Sequence, residues 1–440
     1  MAITQNPLPP GGPNREEFAK REIGVTEVAP ALARTITLLF LLAISVVPLV
    51  EMAGIRMRGS DRSATWSELA ELPPAIRSRW SEATARSETS WRTAVLANRE
   101  VLSRLSSFEN ALEDESLLGR TLRRPAQRVM AGWLGSGNER VYIGRAGWLF
   151  YRPDVEYITG RPFLDGAQLE RRIATASEWE TPPQPDPREA VVRFHRDLQS
   201  RGITLILVPT PMKPGIHPEM LSGKKADRVL QNPSFRRFVE DVSRAGVLVF
   251  DPGAHLPRMR SAEPLYLATD THWLPETMES AAEMLAAFTT AGVRLDPVAD
   301  PGYRIDRLEV HNAGDTAKML ELPEGQTLFP PERVSLRRVV LPDGSLWRSS
   351  RRADVLLLGD SFSNIYSLES MGWGTSAGFA EHLSHALRRP LDRLVQNDDG
   401  AFATRAMLQQ QPERLDGKRV VIWQFATREL AFGDWKTFQR

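Results

Sequence analysis

Four short, almost wholly apolar runs decide most of what this chain can become. They are Ile203–Val208 (ITLILV), Val247–Phe250 (VLVF), Val355–Leu358 (VLLL) and Val420–Trp423 (VVIW). None alternates apolar with polar residues, so each suits a strand covered on both faces, which is the pattern of parallel sheets. Between and around them, Arg188–Gln199, Ser234–Ala245, Pro275–Thr290 and Gly378–Leu387 carry helical periodicity. Strands alternating with helices imply βαβ units and an α/β fold with a doubly wound parallel sheet. In such a sheet the reacting groups gather on the loops at the carboxyl ends of the strands. Residues 296–350, rich in Pro and Arg, fit an insertion or an antiparallel excursion.

Upstream of this domain the texture differs. Residues 1–31 are Pro/Gly-rich and then mixed in charge, as in a disordered tail. The uncharged run Thr35–Val50 would reach only ~24 Å as a helix, but residues 32–55 suffice for a membrane anchor if Arg34 snorkels. A cleaved signal peptide is the alternative, weakened by the long polar leader and by the lack of a small-x-small site after the run. Basic residues flank both sides (Arg15, Lys20, Arg21 and Arg34; then Arg56, Arg58 and Arg62), so charge does not settle the orientation. Residues 56–135 read as a helical neck, with Trp91, Leu96, Val101, Leu105, Phe108 and Leu112 at helical steps, and without the sustained heptads of a coiled coil. The catalytic domain is expected over 136–440.

Composition closes several routes. The formal net charge of +1 gives no field for nucleic acid, and the absence of cysteine removes thiol nucleophiles, disulfides and Cys-based metal sites. The seven histidines include no His-x-x-x-His pair, so neither a metal nor another cofactor is expected. His382 and His385 look like an ordinary helix face.

Two segments carry chemistry. Gly359-Asp360-Ser361-Phe362-Ser363 follows VLLL directly, where a tight turn would expose a serine hydroxyl before a helix. The same residues would also serve as a plain turn and helix cap. Asp270-Thr271-His272-Trp273 sets an acid and an imidazole two apart, on one side of an extended stretch. The carboxylate would hold Nδ1–H and leave Nε2 for a nucleophile. Together they make a candidate Ser361, His272 and Asp270 triad.

These blocks, in this order, resemble the AlgX/AlgJ-type alginate O-acetyltransferase family, a branch of the SGNH hydrolases with the Asp-x-His block ahead of the Ser block. Gly144–Tyr151 (GRAGWLFY), Pro209–Lys213 (PTPMK), Gly314-Asp315 and Trp423–Arg428 (WQFATR) are similar to further family motifs. The resemblance implies Ser361 as nucleophile, His272 as general base and Asp270 as its partner. It also implies a loop carrying Asn397 after one strand and Gln424 on another, with Glu in place of Gln424 in better-known members. Oxyanion donors would be the Ser361 N–H, with Asn397 or Asn364 as alternatives.

Lys213, Asn397, Trp423, Gln424 and Arg428 are the candidate substrate contacts; Lys213 and Arg428 could bind an acidic sugar, but each fits an ion-paired scaffold role better. Trp148, Trp273, Trp373 and Trp423 read mainly as core, with room for one or two to stack on a pyranose. The family further implies a bacterial inner-membrane location, a periplasmic catalytic domain and a multispanning acyltransferase partner that supplies acetyl groups. An esterase with the same triad, or a non-catalytic polysaccharide-binding subunit, stays open from the residues alone.

Overall fold

The structure is a computed structural model. It describes residues 29–58, 117–175, 181–256, 264–397 and 402–438, with a few isolated positions between them. The chain divides into two units, Met1–Arg123 and Arg124–Arg440. The tail expected over 1–31 falls outside the described residues up to position 28, and so does most of the neck ahead of Leu117. In the first unit, Pro30–Arg58 is one helix with Ile36, Leu38, Phe40 and Leu42 exposed. Among the described residues no helix is long and apolar enough to cross a membrane.

The second unit is built on five parallel strands. In chain order its strands are β1 (Val141–Ile143), β2 (Leu149–Tyr151), β3 (Thr204–Thr210), β4 (Leu248–Val249), β5 (Arg304–Asn312), β6 (Glu332–Val340), β7 (Val355–Gly359), β8 (Asp392–Val395) and β9 (Val420–Ala426). The central sheet runs β4-β3-β9-β7-β8, with every pairing parallel. All four apolar runs lie in it. The helices Pro187–Gln199, Phe235–Arg244, Pro275–Gly292 and Phe379–Leu387 lie where periodicity put them, to within a few residues.

β8 carries no strand signal of its own in the sequence; only the family resemblance implied a strand ahead of Asn397. Its sequence, Asp-Arg-Leu-Val, opens with two charged residues and lacks the apolar run that marks its neighbours. The fold accommodates Asp392, fully buried, by closing Arg414 on its carboxylate and setting Lys418 Nζ 3.2 Å away. Residues 296–350 hold β5 and β6, an antiparallel pair in register from Arg304↔Val340 to Asn312↔Glu332. The connection between them turns back toward the Asp270 block, with consequences for the site.

Asp392→Ala would strand two buried cations. It is expected to cost about 3–5 kcal/mol, read as a lowered melting temperature in thermal denaturation of the full chain.

Candidate active site

Parallel register sets the site. β3, β7 and β9 run side by side, with Thr210 level with Ala426 and Leu358 with Trp423, so the loops that follow them leave from the same end of the sheet. β7 delivers Asp360 and Ser361, β9 delivers Thr427 and Arg428, and β3 delivers Pro211–Lys213.

The Ser361 turn is tied down from beneath. Asp360 is the N-cap of the single helical turn Ser361–Asn364, and its carboxylate accepts from Phe362 N–H at 2.9 Å. It also accepts from Ala426 N–H at 2.6 Å and from Gln424 Nε2 at 2.8 Å. Gln424, on β9, completes a four-bond strut. Its Oε1 accepts from Asp360 N–H at 3.1 Å and Ser363 Oγ at 2.7 Å, while Nε2 also donates to Thr210 Oγ1 at 3.0 Å. Gly359 must be glycine for this packing, since a Cβ there would lie 2.4 Å from Ser363 Oγ. The result is a half-buried Ser361 on a turn held to β9 by hydrogen bonds.

His272, the candidate base, comes from the other side. His272 Nδ1 lies 2.6 Å from Asp270 Oδ1, with both side chains buried. Asp270 also accepts from His272 N–H (3.1 Å), Asp315 N–H (2.9 Å) and Trp373 Nε1 (2.9 Å). Burial would raise the Asp270 pKa, but the His272 charge and these donors outweigh it and hold the group below the usual carboxylate range. For His272, burial disfavours the cation, yet the Asp270 charge and hydrogen bond, together with Asp315, raise its pKa above 6.5. His272 Nε2 is buried and has no hydrogen-bond partner among the described residues. The two halves meet through Phe362, the residue after Ser361. Its ring lies 4.7 Å from the His272 ring, its carbonyl accepts from Trp273 Nε1 at 3.2 Å, and Tyr366 Oη donates to the Trp273 carbonyl at 2.6 Å.

The candidate substrate contacts separate. Lys213 is buried, with Nζ donating to the carbonyls of Ala268 (2.8 Å) and Asp270 (2.9 Å) above the Trp148 and Phe150 rings. It holds up the backbone of the acid rather than facing a sugar, and burial lowers its pKa to about 8 against the pull of nearby carboxylates. Trp423 is a correction of the same kind. On β9 its side chain packs against Phe194, Phe425 and Trp435, on the face opposite Gln424. Trp148, Trp273 and Trp373 are buried as well, and Trp373 orients Asp270 instead of stacking on a sugar. Gln424 is a strut of the turn. Asn397 stays half-buried beside the turn, its Oδ1 accepting from Asn364 Nδ2 at 2.9 Å. Arg428 keeps 17% of its side chain exposed but is paired with Asp154 at 3.0 Å.

Asp315 and Glu332 were missed as functional residues. Asp315 lies in the segment between β5 and β6 and Glu332 opens β6, and no spacing in the sequence ties them to residues 268–272. Glu332 accepts from the Ala268 (2.9 Å) and Thr269 (2.7 Å) N–H groups. Among the described residues, Asp270, His272 and Asp315 are the group whose ligand atoms lie close enough to hold a metal. Their oxygens and Nδ1 are engaged with one another and with N–H or O–H donors instead.

Residues 141–427 match the family model described as an SGNH hydrolase-like domain, acetyltransferase AlgX. The chain belongs to that family. It is an SGNH-type acetyltransferase with the family's α/β fold and parallel sheet. The "Probable alginate O-acetylase AlgJ" of Pseudomonas aeruginosa is 28% identical over 310 residues, 67% of this chain and 71% of that protein. Its namesake in Pseudomonas putida is 27% identical over 307 residues, again 67% and 71%. In fold, the chain is similar to the O-acetyltransferase domain of Pseudomonas putida AlgJ, with a TM-score of 0.50 and 22% identity, over 68% of this chain and 95% of that domain.

In this acetyltransferase, Gln424→Glu would point a second carboxylate at Asp360 across a 2.8 Å contact. One of the two must then hold a proton, so the folded-state pKa rises above its unfolded value. Stability is accordingly lost as pH rises through that folded pKa. The variant should melt below the parent at pH 8, by the equivalent of roughly 1–3 kcal/mol, and the gap should close toward pH 5.

Proposed function

We propose that the chain is a membrane-anchored O-acetyltransferase that acetylates an exopolysaccharide in the bacterial periplasm, through an acetyl-enzyme on Ser361. The observation that carries this reading is the state of His272. Its Nδ1 is held by a buried carboxylate, its Nε2 has no hydrogen-bond partner among the described residues, and its ring lies 4.7 Å from that of Phe362, the residue after Ser361. Ser361 Oγ attacks the acetyl carbonyl while its proton passes to Nε2, and the departing group then takes that proton. The negative oxygen of the tetrahedral intermediate is met by the Ser361 N–H, with Asn397 or Asn364 as a side-chain donor. A sugar hydroxyl gives its proton to the same Nε2 and attacks the acetyl-enzyme; Nε2 returns the proton to Ser361 Oγ as the bond to the acetyl group breaks, and the sugar leaves as the ester.

The names of the AlgJ relatives favour a polysaccharide acceptor of the alginate kind. Arg428, the partly exposed cation at the carboxyl end of β9, would face an acidic sugar. Residues 32–55 would anchor the enzyme beside a membrane-bound acyltransferase that hands over the acetyl group, with 56–135 as the neck and 136–440 as the catalytic domain.

Ser361→Ala should lower acetyl transfer from an activated ester to an oligosaccharide by at least ~10³-fold with the melting temperature unchanged. Parental transfer in that variant would remove Ser361 from the mechanism, and acetate without acetylated sugar from the parent would indicate an esterase. Removing residues 1–56, with export supplied by an unrelated signal, should leave hydrolysis of a soluble ester unaltered. Acetylation of exported polymer in cells should fall, because the donor is no longer held alongside. Undiminished acetylation at matched protein levels would mean a soluble donor.

A further inference from the structure

We propose that Asp315 is a positioning residue, whose carboxylate clamps Thr271 between the acid and the base and so fixes which nitrogen of His272 is left to act. The assignment rests on the Ser361–His272–Asp270 reading above. Asp315 Oδ1 accepts from Thr271 N–H at 2.8 Å, and Oδ2 accepts from Thr271 Oγ1 at 2.5 Å. Its own N–H donates to Asp270 at 2.9 Å.

The consequence lies in the hydroxyl. Thr271 Oγ1 is 3.1 Å from His272 Nδ1, and a hydroxyl has one proton. With that proton committed to Asp315, only lone pairs face Nδ1. Nδ1 therefore keeps its hydrogen, shared between Asp270 and Thr271, and Nε2 is the basic nitrogen. Without the Asp315 carboxylate the hydroxyl is free to donate to Nδ1, which favours the tautomer with the proton on Nε2, the wrong one for a base.

The approach that makes this possible is built in. A Cβ at Gly314 would lie 2.1 Å from the Thr269 carbonyl oxygen, so a glycine there lets the two loops touch. Thr316 Oγ1 (2.5 Å) and Ala317 N–H (3.2 Å) then donate to the same carbonyl. Several charges bear on the cluster. Asp315 faces Asp270 and His272, with His272 Nδ1 3.7 Å away, while Lys213 sits beneath through the Asp270 carbonyl. Glu332 grips Thr269, and Asp154 and Arg428 act from farther off. Burial, then the Asp270 charge, push Asp315 up to about 6, and the Asp315 charge in turn favours the imidazolium form of His272.

The test is steady-state hydrolysis of p-nitrophenyl acetate by the full chain between pH 5 and 9, with melting temperatures recorded for each variant. In Asp315→Asn the amide NH₂ replaces an acceptor and turns the Thr271 hydroxyl toward Nδ1. The expected result is a kcat lower by ~10²-fold with KM changed less than about twofold. Loss of the negative charge lowers the His272 pKa, so the acid limb of the profile moves to lower pH. Thr271→Val removes the hydroxyl and should cost about fivefold alone. Combined with Asp315→Asn it should recover roughly tenfold of the lost rate, since the misdirected proton is gone. Parental kcat with an unmoved limb in Asp315→Asn overturns the proposal, and so do losses that simply multiply in the double variant. If Asp315→Asn does not fold, Thr271→Val decides: a parental kcat overturns the clamp. Ser361→Ala separates this inference from the reading beneath it. Activity there sinks the triad, whereas an inactive Ser361→Ala beside a parental Asp315→Asn sinks the clamp alone.

Discussion

The 2.6 Å contact between Asp270 and His272 is the constraint from which most of the site follows. Both side chains are almost fully out of water, and a carboxylate so placed takes up a proton unless donors replace its hydration. The surroundings supply them. Trp373 Nε1 and the Asp315 N–H serve one oxygen, the His272 N–H and Nδ1 serve the other, and Lys213 Nζ holds the carbonyl of the same residue. A buried lysine, a buried tryptophan and a returning loop thus share one task. They keep an acid charged in a place where it would otherwise be neutral.

The proposed nucleophile has a different foundation. Ser361 depends on the sheet itself, through Asp360 and Gln424, whose bonds join the ends of β3, β7 and β9. The base depends on a loop laced to the β5–β6 segment. These two supports meet at Phe362 and Trp273, so the relative placement of serine and imidazole is set by apolar packing and two hydrogen bonds to carbonyls. Rigid, dry packing at that junction suits a reaction in which small displacements are costly.

Much of this was legible in the residues. Fully buried strands have no polar alternation to disguise them, so β3, β7 and β9 stood out, and with them the position of Ser361. Asp270 and His272 could be paired from the sequence because they are neighbours in it, and their side chains do meet. What was not legible came from distance along the chain or from buried charge. β8 was hidden because Asp392 breaks its apolar pattern and is neutralised only by residues far along the chain. Asp315 was noted only as part of a family motif, because its contact with Thr271 exists only once β5 and β6 pair and fold the connection back. Lys213 and Trp423 were taken for substrate contacts on residue type. Their surroundings, a pair of carbonyls and an aromatic cluster, are tertiary facts.

The central claim is that chemistry passes through an acetyl group on Ser361, and mass spectrometry of the enzyme during turnover tests it most directly. The full chain would be mixed with excess p-nitrophenyl acetate at low pH, where a protonated His272 slows deacylation, then quenched and digested. The account predicts one added acetyl group, on the peptide that carries Ser361, lost again when an acceptor sugar is supplied at higher pH. Acetyl on a different residue, or turnover with no covalent acetyl-enzyme in Ser361→Ala and parent alike, would contradict it.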